Sequence, residues 1–349
     1  MSINIARFYK QERMEFDCEI ITPMFLGNSN QEAELRAAPF KGLLRYWWRV
    51  AEGYRYDTPA ALLKAENAIF GSADEDGGKS QVKVEVSPLT DMVAKKDPLP
   101  TVAEVDHPEC ERTRQRTNPL NYLAGMGLIH YKNGILHSYF KPGEKFKLCL
   151  TVSDEKRESI QLVLELIKKF GAIGSRSRNG WGCFSFANSI NISDSLFIKS
   201  FQNAFDRDYP HCLGKDNEGL LLWKTKNSRE KWELCMRDLA EIYISIRAGN
   251  ANLNIQRLDV INGSPPERHL LGYPVTNHSV NLPNWGNQGR HGSALRLIVR
   301  KEDGNYHGYI LHLPHLFSTA MWQNDKNRQI EIWKKVHGSL DKLCQRATI

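Results

Sequence analysis

Apolar and polar residues take turns along Glu15–Met24 (E-F-D-C-E-I-I-T-P-M), the two-residue period of a strand with one buried face. A polar stretch around Gly27, Asn28 and Ser29 follows, and Pro39 stands where a helix favours its first residue. From Phe40 to Tyr54 the period lengthens, and Phe40, Leu43, Leu44, Trp47 and Ala51 fall on one side of a helix. Gln81–Val86 and Lys145–Val152 alternate again. Glu158–Phe170 carries a helical stripe of Ile160, Val163, Leu164 and Ile167, and the apolar run Cys183–Ile190 predicts a last strand.

That order, β-α-β-β-α-β, is the ferredoxin-like or RRM-like arrangement, with two helices on one face of a four-stranded antiparallel sheet. The aromatic signature of an RRM is missing. The connection 88–144 is too long for a hairpin and is expected to form a subdomain or a partner-binding insertion. Beyond about residue 200 a second domain is expected. Arg229–Arg247 has the stripe Trp232, Cys235, Met236, Leu239, Ile242, Tyr243 and Ile246 of a helix. Leu295–Lys301 and Tyr306–Leu313 form a hairpin about Glu302–Asn305, and a closing helix runs from about Asp325 to Arg346. Residues 250–292, rich in Gly, Pro and Asn, read as loop. The fold class is therefore α+β, two tandem ferredoxin-like domains over 1–195 and 196–349. The second is degenerate, with no sequence repeat behind it.

Residues 171–182, G-A-I-G-S-R-S-R-N-G-W-G, carry the strongest chemical signal. Gly171, Gly174, Gly180 and Gly182 bracket Ser175, Arg176, Ser177 and Arg178. Glycine admits positive φ and close backbone approach, and the guanidinium fork fits phosphate oxygens. A polyanion laid across such a loop would meet Gly174, Ser175, Arg176 and Arg178, with main-chain N–H groups as further donors. The loop joins a helix to a strand, the reverse of a dinucleotide fingerprint, and lacks the Gly-Lys-Ser/Thr ending of a P-loop.

On the helix at 40–54, Lys41, Arg45, Trp48, Arg49 and Glu52 lie opposite the apolar stripe. Cations beside an exposed indole suit single-stranded nucleic acid, the charges tracking phosphates and the ring stacking on a base. Arg36, just ahead, extends the set; the competing expectation is a solvated face with Trp48 buried under the insertion. Arg112, Arg114 and Arg116 alternate, so an extended strand would aim all three at one backbone or one neighbouring subunit.

A length of 349 residues suits two domains, and 41% hydrophobic residues suffice for their cores. The net charge of +7, 47 Lys and Arg against 40 Asp and Glu, fits a polyanionic partner without requiring one. Seven scattered cysteines, an odd number, point to a reducing compartment with free thiols. No leader-like apolar segment opens the chain, and no apolar run reaches the roughly 18 residues of a membrane span. A cytoplasmic protein without membrane partners is expected.

Ile21–Arg49 (I-T-P-M-F-L-G…A-E-L-R-A-A-P-F-K-G-L-L-R-Y-W-W-R) resembles the N-terminal signature of the RAMP proteins that serve as subunit one of the Cmr complex, the type III-B CRISPR effector. Tyr122–Leu128 (Y-L-A-G-M-G-L), followed by Lys141–Phe146 (K-P-G-E-K-F), is similar to a further family pattern, and 171–182 to the RAMP glycine-rich loop. The resemblance covers roughly residues 15–190. It implies two tandem ferredoxin-like domains, no catalytic residues, and a place near the 3′ portion of the guide RNA and the incoming target RNA, among other Cmr subunits. Carried over by position, Lys41, Arg45, Trp48 and Arg49 match the family's basic helix, Arg176 and Arg178 its loop, and Arg36 follows its A-E-L-R. The implied function is a non-catalytic grip on guide or target RNA in antiviral defence; no cofactor and no metal are expected.

Two other functions fit some of the same residues. Some RAMP relatives are guide-processing endoribonucleases that use a histidine as general acid or base, and His107, His130 and His137 are candidates, with no second acid–base group placed beside them. A structural adaptor would instead turn its basic face to an acidic protein. His107-Pro-Glu-Cys110 and His312-Leu-Pro-His315 each offer two metal ligands where structural zinc takes four, so ordinary packing is expected.

Overall fold

The structure, a computed structural model, describes residues 10–72, 78–110, 115–130, 132, 134–187, 196–259, 266–273, 291–317 and 325–348. Strand β1 (Gln11–Ile20) alternates as its sequence demands, burying Phe16, Cys18 and Ile20 and exposing Gln11, Arg13 and Glu15. Helices α1 (Ala37–Glu52) and α2 (Pro59–Phe70) lead to β2 (Val82–Pro88). The insertion then contributes β3 (Val105–Asp106), β4 (Arg116–Thr117), the short α3 (Pro119–Ala124), β5 (Ile129–His130) and β6 (Gly134–Ile135). Strand β7 (Lys145–Ser153), helix α4 (Asp154–Phe170) and β8 (Phe184–Phe186) complete the first half. Residues 188–190 of the expected last strand lie outside the described residues.

The first sheet is antiparallel, in the order β2-β7-β1-β8, with Cys18 opposite both Phe146 and Phe186. Helices α1 and α4 cover one face of it. Trp47 of α1 stacks on Phe170 of α4 at 5.9 Å, and Phe40 meets Phe146 at 5.3 Å and Phe184 at 6.1 Å. Helix α2 was not expected from periodicity, because its run P-A-A-L-L-K-A-E-N-A-I-F is alanine-rich and weakly striped. Its start signals are present nonetheless. The Thr58 hydroxyl accepts from the Ala61 N–H, and Pro59 occupies the first helical position.

In the second half, β9 (Ile198–Ser200), β10 (Leu213–Asp216) and β11 (Gly219–Leu220) make a small sheet. Then come β12 (Leu222–Thr225), α5 (Trp232–Ala248), β13 (Leu295–Glu302), β14 (Asn305–His312), α6 (Lys326–Leu343) and β15 (Cys344–Arg346). Their antiparallel sheet has the order β13-β14-β12-β15, so this half repeats the succession of elements and the strand order of the first. The closing helix ends sooner than expected, and its last residues pair with β12, Trp223 facing Arg346. Within 250–292 the described residues hold two 3-10 turns, Ala251–Leu253 and Glu267–Leu271; 260–265 and 274–290 lie outside them.

The two halves share one continuous apolar core. At the seam, β13 runs against residues 168–183. The Leu297 N–H donates to the Arg178 carbonyl (2.8 Å) and the Val299 N–H to Cys183 Sγ (3.3 Å). Arg300 donates to the carbonyls of Lys168 (3.1 Å) and Gly171 (2.8 Å), answering the C-terminal end of α4 with a cation. The insertion is strapped to the second half, for Glu109 receives both Nη groups of Arg268 at 2.6 Å, and Arg237 donates to the Ala103 carbonyl at 3.2 Å.

Candidate nucleic-acid interface

Main-chain packing dictates the shape of the glycine-rich loop. Gly174 takes φ +91°, and a β-carbon there would lie 2.5 Å from the Phe25 carbonyl oxygen, which accepts the Ser175 N–H at 2.9 Å. Thr22 locks the other limb, donating its hydroxyl to the Gly180 carbonyl (2.7 Å) and accepting the Cys183 N–H (3.0 Å). Trp181 is fully buried edge-on to Phe25 at 5.4 Å. The close approach that glycine permits is therefore used inside the protein. The Ser175 N–H, one of the donors expected for a ligand, is spent on Phe25.

What the loop presents is its arginines. Arg176 sits at φ +58° with an exposed side chain, its guanidinium resting over Gly125 of the insertion. Arg178 is half-buried, 5.9 Å from the centroid of Tyr46 on α1. Burial lowers the Arg178 pKa, nearby Tyr46 opposes this, and Arg296 adds to the lowering. An arginine so placed remains a cation at neutral pH. Among the described residues neither Arg176 nor Arg178 has a carboxylate partner. Exposed Arg36, at the start of α1, donates to the Gly27 carbonyl at 2.7 Å. Gly27 lies two residues beyond Phe25, so the entrance of α1 and the loop stand side by side on the segment 24–27. Lys41 follows one turn on, half-buried, its pKa lowered by burial and by Arg45.

The rest of the basic helix faces inward, contrary to expectation. Trp48 is 1% exposed; its indole N–H donates to Ser159 Oγ (3.2 Å), and its ring lies beside Tyr56 (5.9 Å) and Phe70 (6.3 Å). It is neither an open stacking platform nor a residue under the insertion: α2 and α4 enclose it. Arg45 and Arg49 both pair with Glu66 of α2, at 3.0 and 2.9 Å, and Arg45 also donates to the Gly71 carbonyl. The Glu66 side chain is 3% exposed, and a carboxylate so buried persists only when cations hold it. Glu52 is likewise held by Arg55 at 2.7 Å.

Arg116 donates to the Glu104 carbonyl at 2.8 Å and stands 3.9 Å from Asp106, while Arg112 and Arg114 lie outside the described residues. His107 is edge-on to Tyr122, and burial lowers its pKa. His130 lines a cavity of about 420 Å³ with Lys96, Asn118 and Asn121; no carboxylate is among the described residues lining it. His137 is half-buried elsewhere in the insertion. His312 meets His337 (Nδ1 to Nε2, 2.9 Å) rather than His315, whose Nδ1–H donates to the Leu313 carbonyl at 2.8 Å. No three metal-binding side chains gather among the described residues.

Sequence reasoning missed Arg296. It stands at the start of β13, 3% exposed, 4.9 Å from the centroid of Tyr46 and 5.2 Å from that of Trp47. The one available signal was a cation inside the apolar run L-R-L-I-V-R.

Residues 17–185 match the family described as the RAMP superfamily. Two relatives from Pyrococcus furiosus are similar. CRISPR system Cmr subunit Cmr1-1 is 27% identical over 197 residues, 55% of this chain and 53% of that protein. CRISPR system Cmr subunit Cmr1-2 is 27% identical over 185 residues, 48% of this chain and 91% of that protein. The match thus spans about half the length of the first of them. Among solved structures, Cmr1 from Pyrococcus furiosus in its apo form has a TM-score of 0.47 at 18% identity, covering 92% of this chain and 96% of that one. A chain of the type III-B Cmr-beta complex bound to cognate target RNA has a TM-score of 0.48 at 13% identity, covering 94% and 99%.

Proposed function

We propose, from the match of residues 17–185 to the RAMP superfamily, that this chain is the subunit-one component of a type III-B CRISPR ribonucleoprotein, where it grips guide or target RNA without cutting it. Its two units, 1–195 and 196–349, are both ferredoxin-like on this reading, which the shared strand order of the two four-stranded sheets supports. Its partners are guide RNA, target RNA and the other subunits of the complex, and it acts in the cytoplasm. No helix of the described residues is long and apolar enough to cross a membrane.

One observation carries the proposal. Arg176 and Arg178 stand on a loop held by its own main chain, with no carboxylate to neutralise them among the described residues. Cations on a rigid support lose little freedom when they meet phosphates. With Arg36 and Lys41 on the adjoining end of α1, they offer a short cationic track. Such a track follows the sugar-phosphate chain with little regard for base identity. The proposal assigns no catalytic residue. Among the described residues lining the cavity of His130, the other polar side chains are Lys96, Thr101, Asn118 and Asn121, so none is a carboxylate that could serve as a second acid–base group.

The test is fluorescence anisotropy of a labelled single-stranded RNA over a salt series. Arg36→Ala combined with Arg176→Ala is expected to weaken binding and flatten the logarithmic salt slope by about 1–1.5. Its melting temperature should match the wild type. Unchanged affinity and slope in the folded double variant would remove this face from the RNA path.

A further inference from the structure

We propose that Arg178 and Arg296 form a socket for one phosphate group, placed at the seam where the glycine-rich loop meets β13. The two guanidinium groups, from opposite halves of the chain, converge on one ring: Arg178 lies 5.9 Å and Arg296 4.9 Å from the Tyr46 centroid. Arg296 is close enough to add to the lowering of the Arg178 pKa that burial begins. Yet among the described residues no carboxylate or carbonyl accepts from either side chain, and the buried Nε of Arg296 has no hydrogen-bond partner.

An unpartnered buried Nε is shared with Arg207, Arg247 and Arg268; what sets this pair apart is that no acceptor meets the rest of either guanidinium among the described residues. Arg300, four residues along the same strand, donates to the carbonyls of Lys168, Val299 and Gly171. Arg268 is held by both oxygens of Glu109. Tyr46 and Trp47 attract the Arg296 charge through their faces. A ring face, however, does not satisfy the N–H donors that lie in the guanidinium plane. A buried, uncompensated cation is costly, and a second one beside it costs more. One tetrahedral oxyanion between the two forks would give both a charge-assisted acceptor.

The surroundings favour an anion. Burial and the nearby Arg178 hold the pKa values of His291 and His315 low, so among these groups Arg178 and Arg296 supply the positive charge. Gly292 gives Arg178 its seat, since a β-carbon there would overlap Nη1. Because one arginine belongs to the loop and the other to β13, an anion held between them ties the two halves together and should stabilise the folded chain. The carrier of the phosphate rests on the RNA-binding reading above; the socket itself does not.

The experiment melts the full chain in inorganic phosphate and in chloride at matched ionic strength. Phosphate stabilises proteins generally by exclusion from their surface, so the increment is compared between the wild type, Arg296→Met and Arg178→Met. A saturable increment in the wild type that shrinks to the unsaturable background in both variants is expected, together with at least about tenfold weaker binding of a short single-stranded RNA. Equal increments in all three proteins overturn the socket. Should Arg296→Met fail to fold, Arg178→Met and Arg296→Lys, which keeps the charge but loses the fork, decide in its place. If the phosphate increment is lost as expected while the wild type binds no RNA, the socket stands and the RNA reading falls. If RNA binds wild type and variants alike and no saturable increment exists, the reverse holds.

Discussion

Gly182 and Ile173 meet through their main chains so closely that a β-carbon on Gly182 would stand 1.8 Å from the Ile173 carbonyl oxygen. The Ile173 N–H returns the contact, donating to the Gly182 carbonyl at 2.9 Å. This pinch closes the loop that carries Arg176 and Arg178, and Gly182 also needs φ +67°. Gly182→Ala should therefore cost about 2–5 kcal/mol, summing backbone strain and overpacking. Gly143→Ala, at φ +89° with open space around it, should cost about 1 kcal/mol. Urea unfolding of the two variants compares them directly; equal losses would mean that the close approach is not what Gly182 supplies.

Arg45 serves the fold. With Glu66 3% exposed and Arg45 26% exposed, Arg45→Met leaves a buried carboxylate with Arg49 as its remaining cation. After allowance for solvent at the arginine, the expected loss is about 1–3 kcal/mol, with the RNA salt slope unchanged. A flattened slope at unchanged stability would return Arg45 to the RNA-facing side.

The second half should weaken in acid. Burial depresses His315 to about 4, and burial with the nearby Arg346 depresses His337 to about 3, both from an ordinary 6.5. The unfolded chain then binds more protons than the folded one below 6.5. Stability is complete above that pH and is lost as pH falls toward about 4 for His315 and about 3 for His337. His315→Gln should lose less stability than the wild type between about pH 7 and about pH 5, by up to about 1.4 kcal/mol per pH unit within the window. Urea midpoints at the two pH values measure this, and parallel losses would show that His315 does not titrate there.

The strap between the insertion and the second half depends on Glu109 and Arg268, whose side chains are 22% and 4% exposed. Arg268→Met alone should cost about 1–3 kcal/mol by removing the bidentate donor to Glu109, and Glu109→Gln should be harmful too. Combined, they should cost less than the sum, because both changes remove the same pair of hydrogen bonds. A double-mutant cycle that adds without interaction would show the strap to be held by apolar contacts such as Tyr122 on Tyr243, 6.4 Å apart.

Some of this architecture is written in periodicity. The alternation that buries Phe16, Cys18 and Ile20 marks β1, and the stripe Phe40, Leu43, Leu44 and Trp47 marks the sheet-facing side of α1. Helix α2 escaped because alanines carry no stripe, although Thr58 and Pro59 announce its start. That omission had consequences for the site. With α2 absent from the picture, the far side of α1 looks open, and Trp48, Arg45 and Arg49 look like RNA contacts.

What the sequence by itself determined is the residue chemistry of the loop, the β-α-β-β-α-β succession of the first half, and the cationic excess, because these follow from local composition and spacing. Only the tertiary structure decided which cations are consumed internally and which stay unpaired. Glu66 claims Arg45 and Arg49 across 21 and 17 residues, whereas Arg178 and Arg296 share Tyr46 without any acid among the described residues. Neutralisation depends on distance in space, and distance in space is set by the packing of elements far apart in the chain.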